Sequence, residues 1–236
     1  MQKKKVSIII PTYNERDNVP IVVKAIEEVL GGKWHYQIIV VDDSSPDGTG
    51  MLVTELSYKD HRINLIERPG KLGLGSAVVA GFDHSDGDYL VMMDADLSHD
   101  PKYLPDMLLE LSNHDIVIGS RYVDGGGVCN WPLWRRIVSV TASAVGRSIV
   151  GLSIRDLTAG FAAFKRDHIM ELLPDLSPKG FKLLLEIVAK SPSANIKEYP
   201  IVFTDRRFGN SKASVHEIIL FIKLCFQLRL VKKIYK

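Results

Sequence analysis

The stretch Met93-Asp94-Ala95-Asp96-Leu97-Ser98-His99-Asp100-Pro101 puts two carboxylates two residues apart at the end of an apolar run. On a strand that spacing places both side chains on one face. Two acids so close repel each other unless a cation or the hydroxyls of a sugar sit between them. Mg2+ and Mn2+ take such oxygen ligands and bridge diphosphate oxygens. A competing reading is the start of a helix, with Ser98 or Asp100 capping Pro101 onward. Asp100 suits that duty. Asp94 and Asp96 lie too far upstream to share it, and they are expected to hold a metal or a sugar.

Other stretches could join them. Asp42-Asp43-Ser44-Ser45-Pro46-Asp47-Gly48-Thr49 begins as the end of an apolar run and continues as a helix cap. Turn chemistry accounts for Ser45, Pro46 and Asp47, but not for two adjacent acids, one of which could hold a ribose or a base edge. Arg135-Arg136 and Arg206-Arg207…Lys212 supply cations in loop-like contexts. Gly209-Asn210-Ser211 reads as a closing loop, so Arg206 and Lys212 suit a phosphate. Gly73-Leu74-Gly75, with Asp94 19 residues beyond Gly75, invites a dinucleotide-binding reading. Against it, Val78 replaces the third glycine and the motif is not on the first strand-to-helix turn. No Ser/His/Asp or Cys/His set stands out, and His35, His61, His84 and His114 read as surface or core residues.

These residues need a scaffold, and the first half of the chain alternates strand and helix signals. Strands are expected at Val6–Ile10, Gln37–Val41, Ile63–Glu67, Tyr89–Met93 and Asp115–Ile118. Helices are expected at Asn18–Leu30, Asp47–Tyr58, Gly75–Phe82 and Pro101–Leu111. Continuous apolar strands separated by helices predict an α/β fold, a mostly parallel sheet flanked by helices. In such sheets ligands bind outside the carboxyl ends of the strands. Those ends read Pro11–Glu15, Asp42–Ser44, Arg68–Lys71, Asp94–Asp96 and Ser120-Arg121, and they deliver acids, arginines and polar loops to one edge. The second half is less regular. Gly125-Gly126-Gly127 reads as a mobile loop, Pro132–Val150 and Gly180–Ala189 as helices, Ile196–Phe203 as a strand and Ser214–Tyr235 as an amphipathic terminal helix.

The chain has 236 residues, 46% hydrophobic and 25% charged, which suits one large core. Its net charge of +2 conceals an asymmetry. Residues 1–120 hold 11 Lys and Arg against 19 Asp and Glu, and residues 121–236 hold 19 against 9. The acidic half suits a metal and sugar hydroxyls; the basic half suits phosphate or an anionic membrane surface. Cys129 and Cys225 lack the spacing of a disulfide framework or a zinc site. Neither a signal peptide nor a membrane-spanning run is expected. One catalytic domain, 1–213, with a basic terminal segment, 214–236, is the economical description.

Together "IIIPTYNERDNV", "VVDDSSPDGT", "KLGLGSA", "MDADLSHDP", "GSRY", "DLTAGF" and "FTDRRFGNSK" resemble glycosyltransferase family 2 with the GT-A fold, and within it the dolichol-phosphate (polyprenol-phosphate) mannose synthases. The resemblance runs in order along nearly the whole chain. It implies inverting transfer of mannose from GDP-mannose to a dolichyl or other polyprenyl phosphate. Related enzymes that use UDP-sugars, such as polyprenyl-phosphate glucosyltransferases, share most of the motifs. It implies a nucleotide pocket lined by Pro11, Tyr13, Glu15, Val41 and Asp43. Asp96 would ligate Mg2+ or Mn2+, with Asp94 near the sugar or helping the metal and Ala95 between them. Arg121 and Arg135 would face the donor sugar and the acceptor phosphate, and Arg206 and Lys212 would close over the diphosphate.

Two departures stand out. Ser98 occupies a position where some members have a metal-binding Gln, and Ser44 replaces a common Gly. A lipid phosphate needs no general base; a saccharide acceptor would, and only an acid near Asp156 is a loose candidate. The resemblance further implies a peripheral protein on the cytoplasmic face of a membrane, the endoplasmic reticulum in a eukaryote or the plasma membrane in a prokaryote. A small membrane-anchoring subunit is a further expected partner, and nucleic acid is not. After Ile222 the terminal segment carries five basic residues and no acid. It and the Trp131–Val150 helix either lie in the membrane interface or pack on the core.

Overall fold

Val6 and the three isoleucines that follow Ser7 form a run that a strand buried on both faces requires. The computed structural model describes residues 4–177, 182–205 and 215–231. In chain order its elements are β1 (Lys5–Thr12), α1 (Val19–Leu30), β2 (His35–Asp42), α2 (Thr49–Lys59), β3 (Ile63–Glu67), α3 (Leu74–Asp83) and β4 (Tyr89–Met92). There follow α4 (Leu104–Glu110), β5 (Ile116–Ser120), β6 (Gly127–Cys129), α5 (Leu133–Val150), β7 (Ala162–Lys165), α6 (Arg166–Leu172), α7 (Leu183–Ala189), β8 (Ile196–Pro200), β9 (Val202–Thr204) and α8 (Val215–Val231).

Seven strands form one sheet in the order β3-β2-β1-β4-β7-β5-β8. All neighbours are parallel except β7, which runs antiparallel to both β4 and β5. Alternation along β1 feeds two cores. Ile8 and Ile10 point to the layer shared with α1 and α4, whereas Ile9 points to the layer of α3, α7 and α8. A Cβ on Gly81 of α3 would lie 2.4 Å from Ile9 Cγ2, so a glycine lets that helix lie directly on β1. Strand order reverses between β1 and β4, which opens a crevice at their carboxyl ends.

The second half departs from the sequence reading in four places. Ala162–Lys165 is a strand that the sequence reading leaves unassigned; four residues with two alanines carry little β signal. The single strand expected over Ile196–Phe203 breaks at Ile201. Its N–H donates to Ser120 and its carbonyl accepts from Gly127, so the chain passes from β5 to a small sheet of β6 and β9. The triple glycine is therefore not simply a loop, since Gly127 belongs to β6. The helix expected from Gly180 runs from Leu183, and residues 178–181 lie outside the described residues. Along α8, Phe221, Cys225 and Leu228 are buried toward the core. Ile222, Phe226 and Leu230 are exposed beside Lys223 and Arg229. Among the described residues no helix is long and apolar enough to cross a membrane.

Candidate active site

β4 delivers the acid pair to the crevice. After Met93, whose N–H donates to Ile9, Asp94 stays about one-third exposed while Ala95 and Asp96 are buried. Leu97 takes a left-handed backbone, φ 61°, which is unfavourable for a leucine. That turn brings the Ser98 N–H to 3.0 Å from Asp96 Oδ1. Asp100 caps the following turn through the Lys102 N–H, as expected. Among the described residues no group of three His, Cys, Asp or Glu converges. Ser98 Oγ is buried without a hydrogen-bond partner. Two carboxylates beside an orphan hydroxyl still fit Mg2+ or Mn2+, which take one or two protein carboxylates and complete their shell with phosphate oxygens and water.

Arg121 follows β5 and is only 8% exposed. Its main-chain N–H and Nε donate to Asp156 Oδ2 at 3.0 and 2.8 Å. Nη2 donates to Asp156 Oδ1 at 2.7 Å and to Thr158 Oγ1 at 2.8 Å. The rings of Tyr122, Trp131 and Phe203 surround the guanidinium at 5.1–5.5 Å. Asp156 is fully buried. Burial pushes its carboxyl up, but the hydrogen bonds and charge of Arg121 outweigh burial and hold it below its ordinary value. Asp156 is therefore a locked anion and unsuited to general base work. Glu198 of β8 fixes the same loop, accepting from Ser120 Oγ and from the main-chain N–H of Arg155 and Asp156.

The Asp42–Asp43 pair is engaged by the protein itself. Asp42 accepts from Thr12 Oγ1 and from the N–H and hydroxyl of Ser45. Asp43 accepts from Arg68 Nε at 2.7 Å and from the N–H groups of Leu72 and Gly73. The Gly73-Leu74-Gly75 loop thus spends amide donors on a carboxylate of its own chain, which removes the dinucleotide reading. Ser44 holds φ 51°, which explains why a glycine suits that position. Pro11 pairs with Val41 across β1 and β2. Val41 is fully buried and offers no side-chain surface. Tyr13 is exposed with Lys71 Nζ 4.0 Å above its ring, and Glu15 accepts from Asn18 Nδ2.

A cavity of about 340 Å³ opens beside Asp94 and Arg121 and reaches Pro11. Asp94, His99, Arg121, Thr158 and Lys182 are among its polar lining, and Val78, Val138, Leu157 and Phe221 among its apolar walls. Arg135 lies on the first turn of α5; its side chain, and all of Arg206 and Lys212, lie outside the described residues. Sequence reasoning passed over His99. It is 3% exposed between Phe161 and Phe203, with ring centroids 5.4 and 5.1 Å away. Burial lowers its pKa to about 4, so the ring is neutral. Its adjacency to the acid pair in sequence was the available signal.

Solved structures share this architecture. A mannosyltransferase of Pyrobaculum calidifontis, solved with GDP-mannose and Mn2+, superposes with a TM-score of 0.67 at 19% identity, covering 100% of this chain and 66% of the other. The glucosyl-3-phosphoglycerate synthase of Mycobacterium tuberculosis, in complex with Mn2+, UDP and glucosyl-3-phosphoglycerate, gives 0.70 at 16% identity, covering 97% and 80%. The fold is the GT-A arrangement expected from the sequence. The dolichol-phosphate mannosyltransferase of Pyrococcus furiosus is 41% identical over 227 residues, covering 95% of this chain and 63% of the relative. The polyprenol monophosphomannose synthase of Mycolicibacterium smegmatis is 42% identical over 216 residues, covering 88% and 80%. This chain thus spans under two-thirds of the Pyrococcus relative's length. Residues 7–173 match the family model described as glycosyl transferase family 2, and with relatives this similar the chain belongs to that family.

Proposed function

We propose that the chain transfers mannose from GDP-mannose to the phosphate of dolichol or another polyprenol, inverting the anomeric carbon. The observation that carries this reading is one cavity lined by Asp94, the first acid of the pair, and by the buried Arg121, with a largely apolar remainder. The names of the two relatives support the donor and acceptor classes. Pro11, Tyr13, Glu15, Val41 and Asp43 line the nucleotide side, Tyr13 through its exposed ring and Val41 through main chain. Asp96, helped by Asp94, would hold Mg2+ or Mn2+, which supplies charge neutralisation to the departing diphosphate. A phosphate oxygen of the lipid, already anionic at neutral pH, forms the new bond to C1 while the bond from C1 to the diphosphate breaks. No proton needs removal, in keeping with Asp156 being locked and His99 buried. Arg121, fixed by Asp156, and Arg135 position the acceptor phosphate and the sugar. Arg206 and Lys212, which lie outside the described residues, would supply positive charge to the leaving group.

The lipid reaches the site from a membrane surface. α5 exposes Leu133, Trp134 and Ile137, and α8 exposes Ile222, Phe226 and Leu230. Apolar side chains of this size beside Lys223 and Arg229 suit an anionic interface. The test offers labelled GDP-mannose and UDP-glucose separately, with Mn2+ or Mg2+ and detergent-dispersed polyprenyl phosphate. Organic-extractable label should come from GDP-mannose; label from UDP-glucose alone would reassign the donor. Asp96→Asn should abolish transfer with folding intact, and an unchanged rate would sink the metal assignment.

A further inference from the structure

His99 carries an unmet hydrogen-bonding need. Its Nδ1 is buried, has no partner among the described residues and lies 3.7 Å from Asp94 Oδ2. Leaving a buried polar atom unpaired is costly, so such an atom at the wall of a cavity points to a ligand. The separation is too long for a direct hydrogen bond, yet one hydroxyl oxygen about 2.8 Å from each atom bridges them. The backbone keeps that space open. A Cβ on Gly160 would stand 3.0 Å from Asp94 Oδ2 and 3.1 Å from His99 Cε1. Phe161 and Phe203 hold the ring, which therefore cannot swing away to find another partner.

The occupant must donate to a carboxylate and accept from an imidazole N–H at the same atom. A hydroxyl or a water does both, and the deoxy-donor series below separates the two. A phosphate oxygen only accepts and would face the charge of Asp94, and the lipid phosphate acceptor brings no hydroxyl of its own. We propose that His99 and Asp94 together bind one hydroxyl of the donor sugar, which donates to the Asp94 carboxylate and accepts the Nδ1–H of His99. His99 is thus a specificity-determining residue for the sugar. The assignment rests on the nucleotide-sugar reading given above.

Calorimetric binding with Mn2+ present tests it, using GDP, GDP-mannose and a series of monodeoxy-mannose donors. His99→Phe keeps a ring between Phe161 and Phe203 and removes the N–H. It should weaken GDP-mannose about 10- to 100-fold and leave GDP unchanged. One monodeoxy donor should bind the parent chain as weakly and be indifferent to the substitution. His99→Asn, which returns an N–H near Nδ1, should recover most of the loss. Gly160→Ala, which fills the gap without touching the ring, should also weaken GDP-mannose and spare GDP, so a His99→Phe variant that failed to fold would not end the test. Equal losses for GDP and GDP-mannose, equal losses for every deoxy donor, or a weakened Mn2+ affinity would overturn the proposal. Failure of the donor reading looks different. The parent chain would then bind GDP-mannose no more tightly than GDP, and the proposal would fall with it.

Discussion

Asp156 accepts three hydrogen bonds from Arg121, so the two charges leave water together. Removing one partner of a buried pair costs roughly 3–5 kcal/mol, because the other charge is stranded. Asp156→Asn should therefore lose about 3 kcal/mol in denaturant unfolding at pH 7. The pH dependence follows from the depressed carboxyl. Such a group stabilises the fold above its unfolded pKa of 3.8 and loses that contribution as pH falls through the folded value. The unfolding midpoint should hold between pH 7 and 5 and drop below pH 4, and Asp156→Asn should flatten that acid limb. An acid limb unchanged by the substitution would place the titration elsewhere. At this scale the sequence showed which residues were chemical but not what they touch. Asp43 looked available because Arg68 and the amides of Leu72 and Gly73 lie far along the chain. His99 was overlooked because Phe161 and Phe203, which bury it, are farther still.

The elements of the first half were legible because β1 and β2 are largely β-branched apolar runs that meet a proline or an acid, and because proline and glycine punctuate the helices between them. Their boundaries shifted by a few residues; β1, for instance, continues through Pro11 to Thr12. The second half was less legible for a physical reason. β7 is a four-residue strand whose identity comes from being clasped between β4 and β5, a tertiary fact. Close packing was equally invisible. Gly81 looks like an ordinary helix position, yet a side chain there would collide with Ile9. Gly81→Val should cost about 2–3 kcal/mol by forcing α3 off β1. Thermal unfolding measures it, and a neutral result would show that α3 can shift freely.

Over the whole molecule the charge asymmetry of the sequence coincides with a division of labour. The acidic half supplies Asp94 and Asp96, and the basic half supplies Arg121 together with the helices that expose apolar side chains. Flotation with anionic liposomes tests the outer face of α8. The chain should float, and replacing Ile222, Phe226 and Leu230 together by serine should leave it in the soluble fraction while GDP binding persists. Retention of the triple variant would move the docking surface to α5.

The place of β7 also sets the order in which the site can be made. A ribosome that has released residues up to 120 has delivered β1–β4 and, with them, Asp94 and Asp96. β5 has been synthesised by then, but its two sheet neighbours, β7 and β8, have not. Arg121 emerges without Asp156 to bind it and without Glu198 to fix the loop. The half of the site that carries the acid pair can thus fold during synthesis, whereas the arginine half waits for the chain's last strands.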